Sequence, residues 1–132
     1  MKALEAALYN TLHNDVTLLT KVSGVYNTAA PSSAAYPYLV FQKVSGVDSY
    51  TFTAHIATEY LYQVRVIGND LDKDKLNEAL ARVDALLTLQ PLTVTSKRVD
   101  RITRDGELPD AAQRDEGETL LQVGATFRFY VI

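Results

Sequence analysis

A chain of 132 residues can bury roughly two thirds of the surface its unfolded form exposes, so one unstapled domain over residues 1–132 is the expectation. With 47% hydrophobic and 22% charged residues the sequence is too apolar for disorder, and it has no apolar run long enough to cross a bilayer. The lack of cysteine excludes disulfides, thiolate catalysis and cysteine metal sites, and a formal net charge of -3 argues against a nucleic-acid grip, which needs a concentrated basic surface.

Leu4, Ala7, Leu8 and Leu12 recur at the three- and four-residue spacing of one helical face, which predicts a helix over about residues 2–13. Met1-Lys2 leads into this amphipathic pattern instead of an apolar run with a cleavage site, so no secretory signal is expected. Asn14 or Asp15 can cap a second short turn carrying Val16, Leu18 and Leu19, and Ser23-Gly24 ends it. A short strand ending near Asn27 leads into a loop punctuated by Pro31 and Pro37. Pro37 fixes its own φ and restricts Tyr36, which sends the chain straight into an apolar strand over 38–44. Leu39 and Phe41 point one way and Val40 and Val44 the other, the pattern of a central strand covered on both sides.

Residues 46–57 are rich in β-branched and aromatic side chains but hold no tight turn pair, and read as an extended connection or projecting hairpin that could serve as an arm for a partner. From Glu59 to Ile67 the sequence alternates, with Tyr60, Tyr62, Val64 and Val66 on one side and Glu59, Gln63 and Arg65 on the other, as in a half-buried antiparallel strand. Gly68-Asn69-Asp70 breaks it. A second helix over about 71–87 presents Leu76, Ala79, Leu80, Val83, Leu86 and Leu87 as one stripe that needs a sheet to lie on.

Pro91 stops that helix, and residues 92–104 resume extended structure with a phase break near Ser96. Residues 105–117 have a linker's composition, with Gly106, Pro109 and Gly117 among many charges, and are expected to form a mobile loop. The last strand is the clearest: Thr119, Leu121, Val123, Ala125, Phe127, Phe129 and Val131 line one face. Strands without regular βα alternation, with two helices to cover one face, predict an α+β fold: a mainly antiparallel β-sheet packed against two α-helices in a two-layer sandwich.

Chemistry is hard to find in this sequence. His13 and His55 belong to no ligand motif, and Asp70-x-Asp72-x-Asp74 fails as a calcium loop because Lys75 and Ala81 stand where a glycine and a glutamate are required. There is no nucleophile elbow or phosphate-cradling loop, and the carboxylates of Asp115 and Glu116 sit in the polar segment where solvent keeps them ordinary. No catalytic residue, cofactor or metal is expected. Lys97, Arg98, Arg101 and Arg104 form a basic cluster, but Asp100 and Asp105 interleave with them and make it a solvated mixed-charge face. Eight tyrosines without a tryptophan suit either interfaces or strands.

The opening Leu4–Tyr9 helix, Gly24-Val25-Tyr26-Asn27, Ala30-Pro31 and Tyr36-Pro37-Tyr38-Leu39-Val40-Phe41 together resemble the tail-completion family of long-tailed phages, also called tail terminators or tail-to-head joining proteins. The likeness runs more loosely through Tyr62–Val66 and the helix that follows. The resemblance implies a structural virion protein, made in the host cytoplasm and placed at the head-proximal end of the tail. It implies a homo-oligomeric ring, with a hexamer as the expected size, that caps the tail tube and offers the head its docking face. The implied partners are further copies of the chain, the major tail tube protein and a head-completion or neck protein. DNA would pass through the lumen without specific binding, and no membrane is involved. The Tyr-Pro-Tyr stretch reads as scaffold. The expected partner contacts are Asp48, Tyr50, Phe52 and His55 in the insert, with Arg104, Asp105, Glu107, Asp110, Arg114 and Glu116 in or beside the loop. The alternatives are another phage connector or minor tail protein, or a small ligand-binding domain or enzyme, which would need a pocket lined by Tyr62 and Arg65.

Overall fold

The computed structural model describes residues 2–50, 55–69, 73–88, 92–94, 97–115 and 118–132. Helix α1 (Lys2–His13) buries Leu4, Ala7, Leu8 and Leu12, the face its spacing predicts. The one-turn helix α2 (Val16–Leu19) is capped by Asp15, whose carboxylate accepts a 2.9 Å hydrogen bond from the Leu18 amide. Helix α3 (Lys73–Thr88) buries Leu76, Ala79, Leu80, Val83, Leu86 and Leu87. The expected stop at Pro91 and the phase break at Ser96 lie outside the described residues.

The strands are β1 (Val25–Asn27), β2 (Tyr38–Tyr50), β3 (His55–Asn69), β4 (Thr93–Val94), β5 (Lys97–Asp115) and β6 (Glu118–Val131). They lie in the order β1-β2-β3-β6-β5-β4, with β1 parallel to β2 and every other pairing antiparallel. The fold is therefore the expected α+β sandwich, a largely antiparallel sheet with helices on one face. Helix α3 runs over β3, β6 and β5, while α1 reaches both marginal strands, β1 and β4.

Strand parity divides the residues between two faces. Leu39, Phe41, Tyr62, Val64, Val66, Val123, Ala125, Phe127 and Phe129 are buried with the helices in one apolar cluster. The alternate residues Gln42, Leu61, Gln63, Arg65, Ile67, Thr126, Arg128 and Tyr130 stay half-buried on the face without helices, here called the bare face. Val40 on that face is only 2% exposed, between its cross-strand neighbours Tyr26 and Arg65. The covering on both sides expected at the start of this strand is not found: helices pack on one side only among the described residues, Val44 is 52% exposed, and Val40 is enclosed by neighbouring strands of the same sheet.

Two findings bear on the expected arms. Of the segment 46–57, the described residues 46–50 and 55–57 are paired antiparallel as far as Tyr50 opposite His55, beyond Val131, the last strand residue of β6, while 51–54 lie outside the described residues. Residues 105–115, expected as a mobile loop, are instead the second half of β5, paired with β6 as far as Asp115 opposite Glu118. Backbone pairing needs no apolar side chains, which is why a linker-like composition can still make a strand. The strand is irregular, with register shifts at Val99/Arg101, Arg104/Gly106 and Leu108/Ala111, and with Pro109 inside the last of them.

Candidate assembly interface

The sequence-predicted contact residues are spread along the strands: the arm residues sit at one end, Arg104 to Glu107 lie in the middle, opposite Phe127 to Ala125 of β6, and Arg114 lies near the other end. Asp48, Tyr50 and His55 lie at the far end of the β2–β3 pairing, where Asp48 accepts a 2.7 Å hydrogen bond from the Thr58 hydroxyl. Phe52 and Glu116 lie outside the described residues. Arg104, Asp105, Glu107, Asp110 and Arg114 are on β5, Arg114 opposite Thr119 near the other end. The nine residue steps on β6 between Val131, opposite Thr58, and Gln122, opposite Ile67, put about 30 Å between the two ends. Those that lie among the described residues are therefore strung along the sheet and do not gather into one site.

On the helix side of β5 the charges form a cleft of about 370 Å³ lined by Lys73, Asp84, Arg104, Glu107 and Asp110 together with Leu80. Arg104 bonds Glu107 at 2.8 Å and approaches Asp84 at 3.9 Å, and Lys73 pairs with Asp110. The Glu107 and Asp110 side chains remain 75% and 52% exposed, so these are weak, exchangeable surface pairs.

The pocket that an enzyme reading would require cannot form from Tyr62 and Arg65, because strand parity puts them on opposite faces of β3. Tyr62 is fully buried against the helices, its hydroxyl without a hydrogen-bond partner, and burial pushes its pKa up. Arg65 lies on the bare face, and its buried Nε likewise has no acceptor. Arg82, Arg104 and Arg128 each hold a carboxylate, and Arg101 sits 4.0 Å from the centre of the Tyr130 ring. Among the described residues Arg65 has no such partner.

Beside Arg65 is a feature that the sequence reading treated as scaffold. Ser23 donates its amide to the Pro37 carbonyl at 2.7 Å and Leu39 donates to Gly24 at 3.0 Å, which locks the loop exit against the start of β1. The Tyr36-Pro37 peptide bond is cis. Tyr36 stacks on Tyr38 with ring centres 5.3 Å apart, and Tyr26 meets Tyr38 edge-on at 6.0 Å. Partial burial raises the pKa of Tyr38, and Arg65, opposite Val40, lies diagonally across from it on the same face. Three tyrosines and an arginine form a half-buried patch at one margin of the bare face, a composition enriched at protein interfaces. The eight tyrosines were a signal in the sequence. The isolation of Arg65 was not, because it depends on which strands flank β3.

The sequence matches the family of tail completion protein gp17 over residues 6–131, and the chain belongs to that family. It is accordingly a phage tail structural protein of the virion, not an enzyme. A chain in the virion of a native gene transfer agent particle has a similar fold, with a TM-score of 0.78 and 23% identity, covering 98% of this chain and 95% of that one. The gp17 protein of bacteriophage SPP1 is also similar, with a TM-score of 0.62 and 19% identity, covering 97% of this chain and 88% of that one. No curated protein matches the chain.

Proposed function

We propose that the chain is a single tail-terminator domain that assembles into a ring, most simply a hexamer, caps the tail tube and presents the surface on which the head docks. The observation that carries this reading, beside the family itself, is that the pairing of β2 with β3 runs out to one end of the sheet, at Tyr50 and His55, and that of β5 with β6 to the other, at Asp115 and Glu118. A subunit that joins two different structures needs two end surfaces, one for the tube protein and one for a head-completion or neck protein. Its lateral margins then remain for copies of itself. The β2–β3 arm, with Asp48, Tyr50 and His55 near its end and Val44 and Val47 exposed along it, supplies contacts to one of these partners. DNA passes through the lumen without being gripped, since each subunit carries a net charge of -3.

Purified protein added to tail tubes assembled without it, and imaged by negative stain, is expected to appear as a cap at one end of each tube. Tubes whose ends stay bare while the protein remains in the supernatant would overturn the reading.

A further inference from the structure

Neighbouring subunits in the proposed ring need a specific lateral contact, and the two margins of the sheet carry complementary chemistry. Tyr26, Val40, Arg65, Gly124 and Leu108 are consecutive cross-strand partners, so they form one row across β1, β2, β3, β6 and β5. At one end of this row, on the bare face, lies the Tyr26, Tyr36, Tyr38 and Arg65 patch. At the other, on the helix side, lies the cleft beneath β5 with Glu107 and Asp110, whose sequence positions bracket Leu108. The two features are therefore at the same height on opposite margins and opposite faces.

That placement is what an overlapping head-to-tail contact requires. When the β5 margin of one copy lies over the β1–β2 margin of the next, its helix side faces the neighbour's bare face. We propose that the α3–β5 cleft of each subunit receives the tyrosine–arginine margin of the following copy, with Arg65 meeting Glu107 or Asp110 across the boundary. The contact rests on the ring reading above and gives it a specific surface. It supplies a carboxylate to the terminal amines of a half-buried guanidinium that has no carboxylate partner of its own among the described residues. Glu107 and Asp110 change partners at little cost, because their pairs with Arg104 and Lys73 are exposed to solvent. Tyrosine rings add apolar area with few rotatable bonds, and their hydroxyls can donate to the same carboxylates. A contact between two different patches of the same chain is heterologous, and a rotation that closes makes it a ring.

The absence of native cysteine makes the test direct. A Tyr36→Cys, Ala81→Cys double variant treated with a short bis-maleimide is expected to give a ladder of covalent oligomers that ends at the ring, and the two single variants mixed are expected to stop at dimers. Arg65→Glu is expected to weaken self-association at least about tenfold, as loss of a paired interfacial charge does, and Arg65→Glu combined with Glu107→Arg is expected to restore it. Arg65→Gln, which keeps most of the aliphatic stem, guards against a variant that fails to fold. Rings that form without crosslinking at this pair, and that survive Arg65→Gln unchanged, would overturn this contact and leave the ring reading standing. A wild-type protein that stays monomeric both in solution and with tubes would overturn the two together.

Discussion

The two faces of this sheet are made by the same strands, often by adjacent residues, yet they have different work. Tyr62, Val64 and Val66 of β3 are sealed against α1 and α3, while Gln63 and Arg65 between them stay half-buried on the bare face. Alternation along a strand lets a chain of this size hold a core on one face and leave the other free of helices. Stability and assembly should therefore respond to different substitutions on the same strands.

The largest stability loss is expected on the covered face. Phe127→Ala removes a fully buried ring beside Tyr62 and should cost about 3–5 kcal/mol, read as a fall in the denaturation midpoint. A loss below about 1 kcal/mol would mean that this face is not the core.

Next is the tie between the helices. Arg82 holds Asp15 through two hydrogen bonds of 2.8 and 2.9 Å, and that contact, with the Leu18 amide, keeps the Asp15 pKa below its ordinary value despite partial burial. Asp15→Ala removes both cap and ion pair and should cost about 1–2 kcal/mol. Asp15→Asn keeps a capping oxygen and should cost less. The sign of the pH effect follows from the lowered pKa. The charge contribution is complete above the ordinary aspartate value of about 3.9 and is lost as pH falls through the lowered native value. The stability gap between wild type and Asp15→Asn should thus close in acid, and a gap that widened there would refute the assignment.

Smaller still, and opposite in sign, is Tyr62→Phe. It deletes a buried hydroxyl that has no partner and should stabilise the protein by up to about 1 kcal/mol, seen as a modest rise in melting temperature. Arg65→Gln sharpens the contrast between the faces most, because it should move stability by less than about 0.5 kcal/mol while self-association falls. Equal losses in both measurements would erase the distinction.

The parts of the fold that were legible in the sequence are those in which burial imposes a period. Leu4, Ala7, Leu8 and Leu12 announce α1, and the alternation from Val123 to Val131 announces β6. The outer half of β5 was illegible for the complementary reason: from Arg104 to Asp110 it is largely exposed and held by backbone pairing to β6, so its side chains record no period. Among the candidate contacts, the β2–β3 arm could be read from its β-rich composition. The tyrosine–arginine patch could not be assembled from sequence, because it joins β1, the loop exit at Pro37 and the middle of β3.

The irregularity of β5 has a consequence for self-association. A long straight edge strand would invite other copies of the chain to add to it without limit. Three register shifts, an internal proline and closely spaced charges deny that edge an uninterrupted line of hydrogen-bonding groups. The exposed length of β5 is thereby a poor template for endless polymer.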